Sequence, residues 1–102
     1  MYNIFLVCSA GMSTSLLVMK MTAAAKERGV EAKIAAVAEA ELSKVIDSAD
    51  IVLLGPQVRY LLGKIKDLLA AKGTPVEVIN SIDYGTMNGD KVLQRALELI
   101  GK

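Results

Sequence analysis

The chain has 102 residues, 12 Lys and Arg against 11 Asp and Glu, one Cys, no His and no Trp. An apolar fraction of 53% suits one folded domain over 1–102 and argues against disorder. The absent His excludes Ser-His-Asp and Cys-His catalysis and a phosphohistidine of the chain's own, and the lone Cys excludes an intrachain disulfide, a CxxC redox pair and a thiolate metal cluster.

Ile4 to Val7 is a short, wholly apolar run, which reads as a strand buried on both faces. Ser13 and Thr14 are good N-cap residues for a helix from Ser15 to about Arg28, with Gly29 as its C-terminal stop. Glu31 to Ala38 reads as a second strand and Glu39 to Ser48 as a short helix. Ile51 to Leu54 is another fully apolar strand, closed by Gly55-Pro56. Val58 to Lys72 carries Leu61, Leu62, Ile65, Leu68 and Leu69 at helical spacing on what reads as one core face, and Gly73 ends it. Pro75 to Ile79 is the fourth strand and Asn80 to Asn88 a polar loop. Gly89 to Ile100 is the last helix, with Val92, Leu93, Ala96, Leu97 and Ile100 inward.

Strands alternating with helices imply an α/β fold with a parallel sheet wrapped on both faces. Four strands in this length predict a small doubly wound, flavodoxin-like domain of order 2-1-3-4. Such sheets bind ligands at the carboxyl ends of strands, where the strand order reverses. That crevice lies beside strand 1, whose outgoing loop is Cys8-Ser9-Ala10-Gly11-Met12-Ser13-Thr14, followed by Ser15. The only Cys therefore stands where the topology expects a site.

The composition of this loop suits an anion. Gly11 permits unusual dihedrals, small residues let main-chain N–H groups converge, and the following helix adds unpaired N–H groups and a positive dipole end. Helix N-termini also favour the thiolate form of cysteine. A nucleophilic sulfur beneath a phosphate-sized nest points to phosphoryl transfer onto Cys8. The plainer alternative is an inert hydrophobe at a strand end, which is common for free Cys, but Cys, Gly and three hydroxyls coincide at the switch point and favour the reactive reading.

A Cys-x5-Arg loop would mark a phosphatase or an arsenate reductase, but Thr14 stands at the place of that Arg. Without a guanidinium to grip the phosphoryl oxygens, and with Asp83 as the one plausible general acid or base, a thiophosphoryl group should survive long enough to be handed on. The second reading is a low-molecular-weight tyrosine-phosphatase-like hydrolase using Asp83. A third, a receiver-like signalling module, needs acids at strand ends, whereas strand 1 ends in Cys8 and Asp50 precedes strand 3.

The run IFLVCSAGMSTSLLV at 4–18, with LLGPQV at 53–58 and VEVINSIDYG at 76–85, resembles the enzyme IIB component of a sugar phosphotransferase system, of the lactose/cellobiose/chitobiose class. The likeness covers nearly the whole chain, and the Cys loop shows no departure from the family's pattern. It implies a phosphotransferase in which Cys8 is phosphorylated by a phosphohistidine on enzyme IIA. Cys8 then passes the group to a beta-linked disaccharide held by membrane-embedded enzyme IIC. Ser9 to Ser15 would form the phosphate cradle. The histidine belongs to the partner, which accounts for its absence here.

Gln57, after Gly55-Pro56, either donates its amide to a phosphoryl oxygen or satisfies loop backbone. Asp83 and Tyr84 either rim the site or form a turn with Gly85. Arg59 and Lys20 are the nearest cations, read as surface charges or partner contacts. Met12 is the best docking methionine, and Met19 and Met21 cannot share one helical face, so at least one packs in the core. No cofactor and no metal are expected. A net charge of +1 without a basic run predicts no nucleic-acid partner. No apolar run approaches the roughly 20 residues of a membrane span, and no signal peptide is expected. A lone thiol without a disulfide suits a reducing cytoplasm, and the resemblance implies a place at the inner face of the membrane through enzyme IIC.

Overall fold

The structure is a computed structural model that describes residues 1–8 and 11–101, with the side chains of 11–13 excepted. Four parallel strands, β1 (Tyr2–Cys8), β2 (Ala32–Ala38), β3 (Ile51–Leu54) and β4 (Val76–Val78), stand in the order β2-β1-β3-β4. This is the predicted order. In β1, Ile4 pairs with Ile34 of β2 and Ile51 of β3, so the two apolar runs sit side by side in the sheet centre. Every residue of β3 is buried, as a strand covered on both faces requires.

Pleating splits the core in two. On one face Ile4, Leu6, Ile51 and Leu53 pack with Leu17, Met21 and Ala24 of α1 (Gly11–Arg28) and Val92, Leu93 and Ala96 of α5 (Gly89–Ile100). On the other, Phe5, Val7, Val52 and Leu54 pack with Leu42 of α2 (Glu39–Val45) and Ile65 and Leu69 of α3 (Leu62–Leu69). Gly29 and Gly73 end their helical segments with φ of +70° and +69°, a left-handed turn that glycine adopts without a Cβ penalty. Met21 is fully buried while Met19 is exposed, the split that their spacing predicted.

Four expectations are corrected. First, α1 begins at Gly11, so Ser13 and Thr14 lie inside its first turns instead of capping a helix from Ser15. Second, Val58 to Lys72 is not one helix. Pro56 starts a 3₁₀ segment over Pro56–Leu61 that breaks at Val58 (φ −118°, ψ 24°), α3 follows, and a 3₁₀ turn over Ala70–Lys72 closes it. Burying Val58 against the second cluster accompanies the break. Third, Leu68 is 51% exposed, because the buried face of α3 carries Ile65 and Leu69 at i, i+4 spacing, in line with Leu61 just before the helix, and Leu68 falls beside it. Fourth, Asn80 to Asn88 is not all loop: Ser81–Gly85 forms α4, whose first turn is held by Asn80 Oδ1 accepting from Ile82 N and Asp83 N.

Candidate functional site

Cys8 is the last residue of β1, at the carboxyl edge beside the point where the chain crosses from β2 to β3. It is 4% exposed, and among the described residues the two apolar clusters form without it. Ser9 and Ala10, the first residues of the expected cradle, lie outside the described residues. Gly11, Met12, Ser13, Thr14 and Ser15 make up the first turns of α1, so this edge carries the start of an 18-residue helix. That helix end supplies N–H groups without intrahelical acceptors and the positive end of the dipole.

Two further connections reach the same edge. After β3, Gly55 N donates to Val7 O at 3.0 Å, which holds the Gly55-Pro56-Gln57 turn against the end of β1. A Cβ on Gly55 would stand 2.6 Å from Gln57 Oε1, so the missing side chain leaves the space that the Gln57 carboxamide occupies. After β4, Ile79 N donates to Leu54 O at 2.8 Å, and Asn80 then caps α4, which carries Asp83 and Tyr84.

These connections meet at one phenol. Thr14 Oγ1 lies 3.1 Å from Tyr84 Oη, and Gln57 Nε2 donates to the same Oη at 3.0 Å. Thr14 is fully buried and, among the described residues, is the one polar side chain in the core. Its contact with Tyr84 spans 70 positions, and no sequence signal pairs residues so distant. The Asn80 cap is the one local cue, since an Asn before a short segment marks a helical turn that presents Tyr84.

The remaining candidates are dispersed. Asp83 sits in α4, where its N–H bonds Asn80 and its carbonyl accepts from Asn88 N at 2.9 Å. Lys20 and Arg59 are exposed. Asp50 accepts from Asn3 N at 2.7 Å at the amino end of the sheet, far from where a receiver's acceptor acid would stand. Leu16 in α1, Tyr60 after β3 and Ile82 in α4 are large apolar side chains exposed on connections that follow strand carboxyl ends. Among the described residues no cluster of three or more His, Cys, Asp or Glu could hold a metal ion, and no helix is long and apolar enough to cross a membrane.

Residues 3–95 match the family described as the PTS system, lactose/cellobiose specific IIB subunit. The chain belongs to that family. It is similar to the PTS system galactose-specific EIIB component of Lactococcus lactis subsp. cremoris, 43% identical over 95% of this chain and 94% of that one. The PTS system oligo-beta-mannoside-specific EIIB component of Bacillus subtilis is 41% identical over 98% and 97% of the two chains. Among solved structures, the cellobiose-specific phosphotransferase IIB component from Borrelia burgdorferi superposes with a TM-score of 0.80 at 50% identity, covering 97% of this chain and 91% of that one. The lactose-specific IIB component domain of Streptococcus pneumoniae shares the fold, with a TM-score of 0.87 at 19% identity over 96% of each chain. As an EIIB component the chain is part of a phosphotransferase that serves sugar transport.

Proposed function

We propose that this EIIB component is a phosphocysteine carrier. Its Cys8 thiolate attacks the phosphorus of a phosphohistidine on enzyme IIA. The S–P bond forms as the N–P bond breaks, and the imidazole leaves with the bonding pair. A hydroxyl of the sugar held by enzyme IIC then attacks the same phosphorus, gives its proton to a base and releases the Cys8 thiolate. Main-chain N–H groups of the cradle from Ser9 to Ser15 and the start of α1 hold the phosphoryl oxygens between the two steps. The sugar is a beta-linked disaccharide of the cellobiose, chitobiose or lactose type, and the chain works in the cytoplasm against the inner membrane face through enzyme IIC.

The observation that carries this reading is the position of the only Cys, at the end of β1 and at the entry to α1 on the carboxyl edge. Thr14 at the place of the phosphatase Arg supports transfer over hydrolysis, because no guanidinium from the loop stabilises attack by water. The exposed Leu16, Tyr60 and Ile82 suit a rim that meets two partners in turn, through small transient contacts. With little covalent work left to side chains, in-line placement of the two reacting groups supplies most of the rate.

The test is phosphorylation by phospho-IIA followed by intact-mass and peptide analysis. One phosphoryl group should appear on Cys8, and Cys8→Ser should abolish it. Membranes holding enzyme IIC and a beta-linked disaccharide should then drain the label into sugar phosphate. Undiminished transfer to the Cys8→Ser chain would refute the assignment.

A further inference from the structure

Tyr84 links three segments that the chain keeps far apart. Its hydroxyl meets Thr14 of α1 at 3.1 Å and the Gln57 amide at 3.0 Å, so one oxygen joins the connections after β1, β3 and β4. Thr14 has no exposure to water, and its hydroxyl depends on protein partners for its hydrogen bonding. Gln57 is exposed, but its carboxamide lies over Gly55, whose missing side chain leaves it room. Tyr84 itself projects from a five-residue helix pinned by Asn80. The tie is thus anchored at each end, and it crosses the edge on which Cys8 ends β1.

We propose that Tyr84 is a positioning residue for phosphoryl transfer at Cys8, acting through Thr14 on the first turn of α1 and through Gln57 on the turn after β3. This inference rests on the phosphocysteine reading of Cys8. The cradle's donors are main-chain N–H groups at the start of α1, and their aim is set by where that first turn sits. Thr14 is one turn into α1, so holding its side chain holds the donors. Tyr84 touches neither the sulfur nor the phosphoryl group in this role. Gln57 serves as the far anchor of the tie and not as a ligand of the phosphoryl oxygen.

The experiment measures single-turnover transfer from phospho-IIA to the full chain at several donor concentrations. Tyr84→Phe keeps the ring and removes the oxygen. Its saturating rate should fall by about 10- to 100-fold, the range expected when reacting groups are slightly misplaced. The donor concentration at half-saturation should change little, because the docking rim is intact. Gln57→Leu should slow transfer less, and adding it to Tyr84→Phe should cost nothing more, since the tie is already cut. Circular dichroism and a melting curve check that each variant is folded.

A Tyr84→Phe rate within about twofold of wild type would overturn the proposal, being far short of a misplacement effect. So would fully additive losses in the double variant, which would make Gln57 an independent, direct contact. Should Tyr84→Phe fail to fold, Thr14→Val and Gln57→Leu take its place: an unchanged saturating rate in either, or fully additive losses in their double variant, overturns the tie, and losses that do not add support it. Failure of the wild-type chain to label on Cys8 at all would instead sink the carrier reading beneath it.

Discussion

Gly89, the first residue of α5, is buried where that helix crosses α1. A Cβ there would stand 2.5 Å from the Lys20 carbonyl carbon and 2.6 Å from Met21 N, both main-chain atoms of α1. Ordinary carbon contacts are about 3.5–4.0 Å, so Gly89→Ala forces α5 back by roughly 1 Å. That retreat lifts Val92, Leu93 and Ala96 from the core they share with Leu17, Met21 and Ala24. Overpacking of this kind costs about 1–3 kcal/mol. The gain in helix propensity from Gly to Ala is at most about 1 kcal/mol, and less in a first turn. The steric effect therefore wins, and the net loss is about 1–2 kcal/mol. For a domain of this size the melting temperature should fall by about 5–15 °C. Thermal unfolding followed by circular dichroism measures it. Gly63 in α3 is the matched control, because a Cβ there meets nothing within 4 Å. Gly63→Ala also lies in a first turn, so it should leave the melting temperature unchanged or raise it slightly, from a gain below about 1 kcal/mol. A Gly89→Ala chain that melts at or above wild type would show that the approach of α1 and α5 is not what requires glycine.

Two other outcomes follow from named contacts. Asn80→Ala removes the acceptor for Ile82 N and Asp83 N, should cost about 0.5–2 kcal/mol in urea unfolding, and should slow Cys8 transfer by loosening the helix that carries Tyr84; unchanged stability would show that Asn80 does not hold α4. Glu77 and Arg95 make a two-point ion pair, with Nε–Oε2 at 2.8 Å and Nη2–Oε1 at 2.9 Å. Hydrogen bonds from that guanidinium, with its charge, hold the Glu77 carboxyl below the ordinary glutamate range. A carboxyl depressed on folding stabilises the native state above its unfolded pKa, and that contribution disappears as pH falls through the folded value. Glu77→Gln should therefore melt slightly below wild type at neutral pH, by a small margin because the pair faces solvent, and the gap should close in acid. A gap that widens on acidification would contradict this assignment.

Much of the architecture was legible in the residues because its signals are local. Ile4–Val7 and Ile51–Leu54 are wholly apolar because the central strands of a parallel sheet meet helices on both faces. Gly29 and Gly73 mark helical ends through a dihedral that other residues reach at a cost. From alternating strands and helices, the strand order and the edge bearing Cys8 follow by topology. Features that depend on meeting a distant partner were not legible. A polar stretch such as Asn80 to Asn88 reads as loop by composition, and α4 emerges from an Asn80 cap together with the seating of Tyr84 on Thr14. Likewise, Leu68 carries the same hydropathy as Leu69, and only the choice of which face of α3 settles on the sheet leaves one outward and the other inward. Composition and spacing determined that this chain would build a parallel sheet with one sulfur at its carboxyl edge. Tertiary packing alone decided that Thr14, Gln57 and Tyr84 would meet there, because side-chain pairing across 70 residues is set by how helices settle on the sheet, a relation that no local pattern encodes.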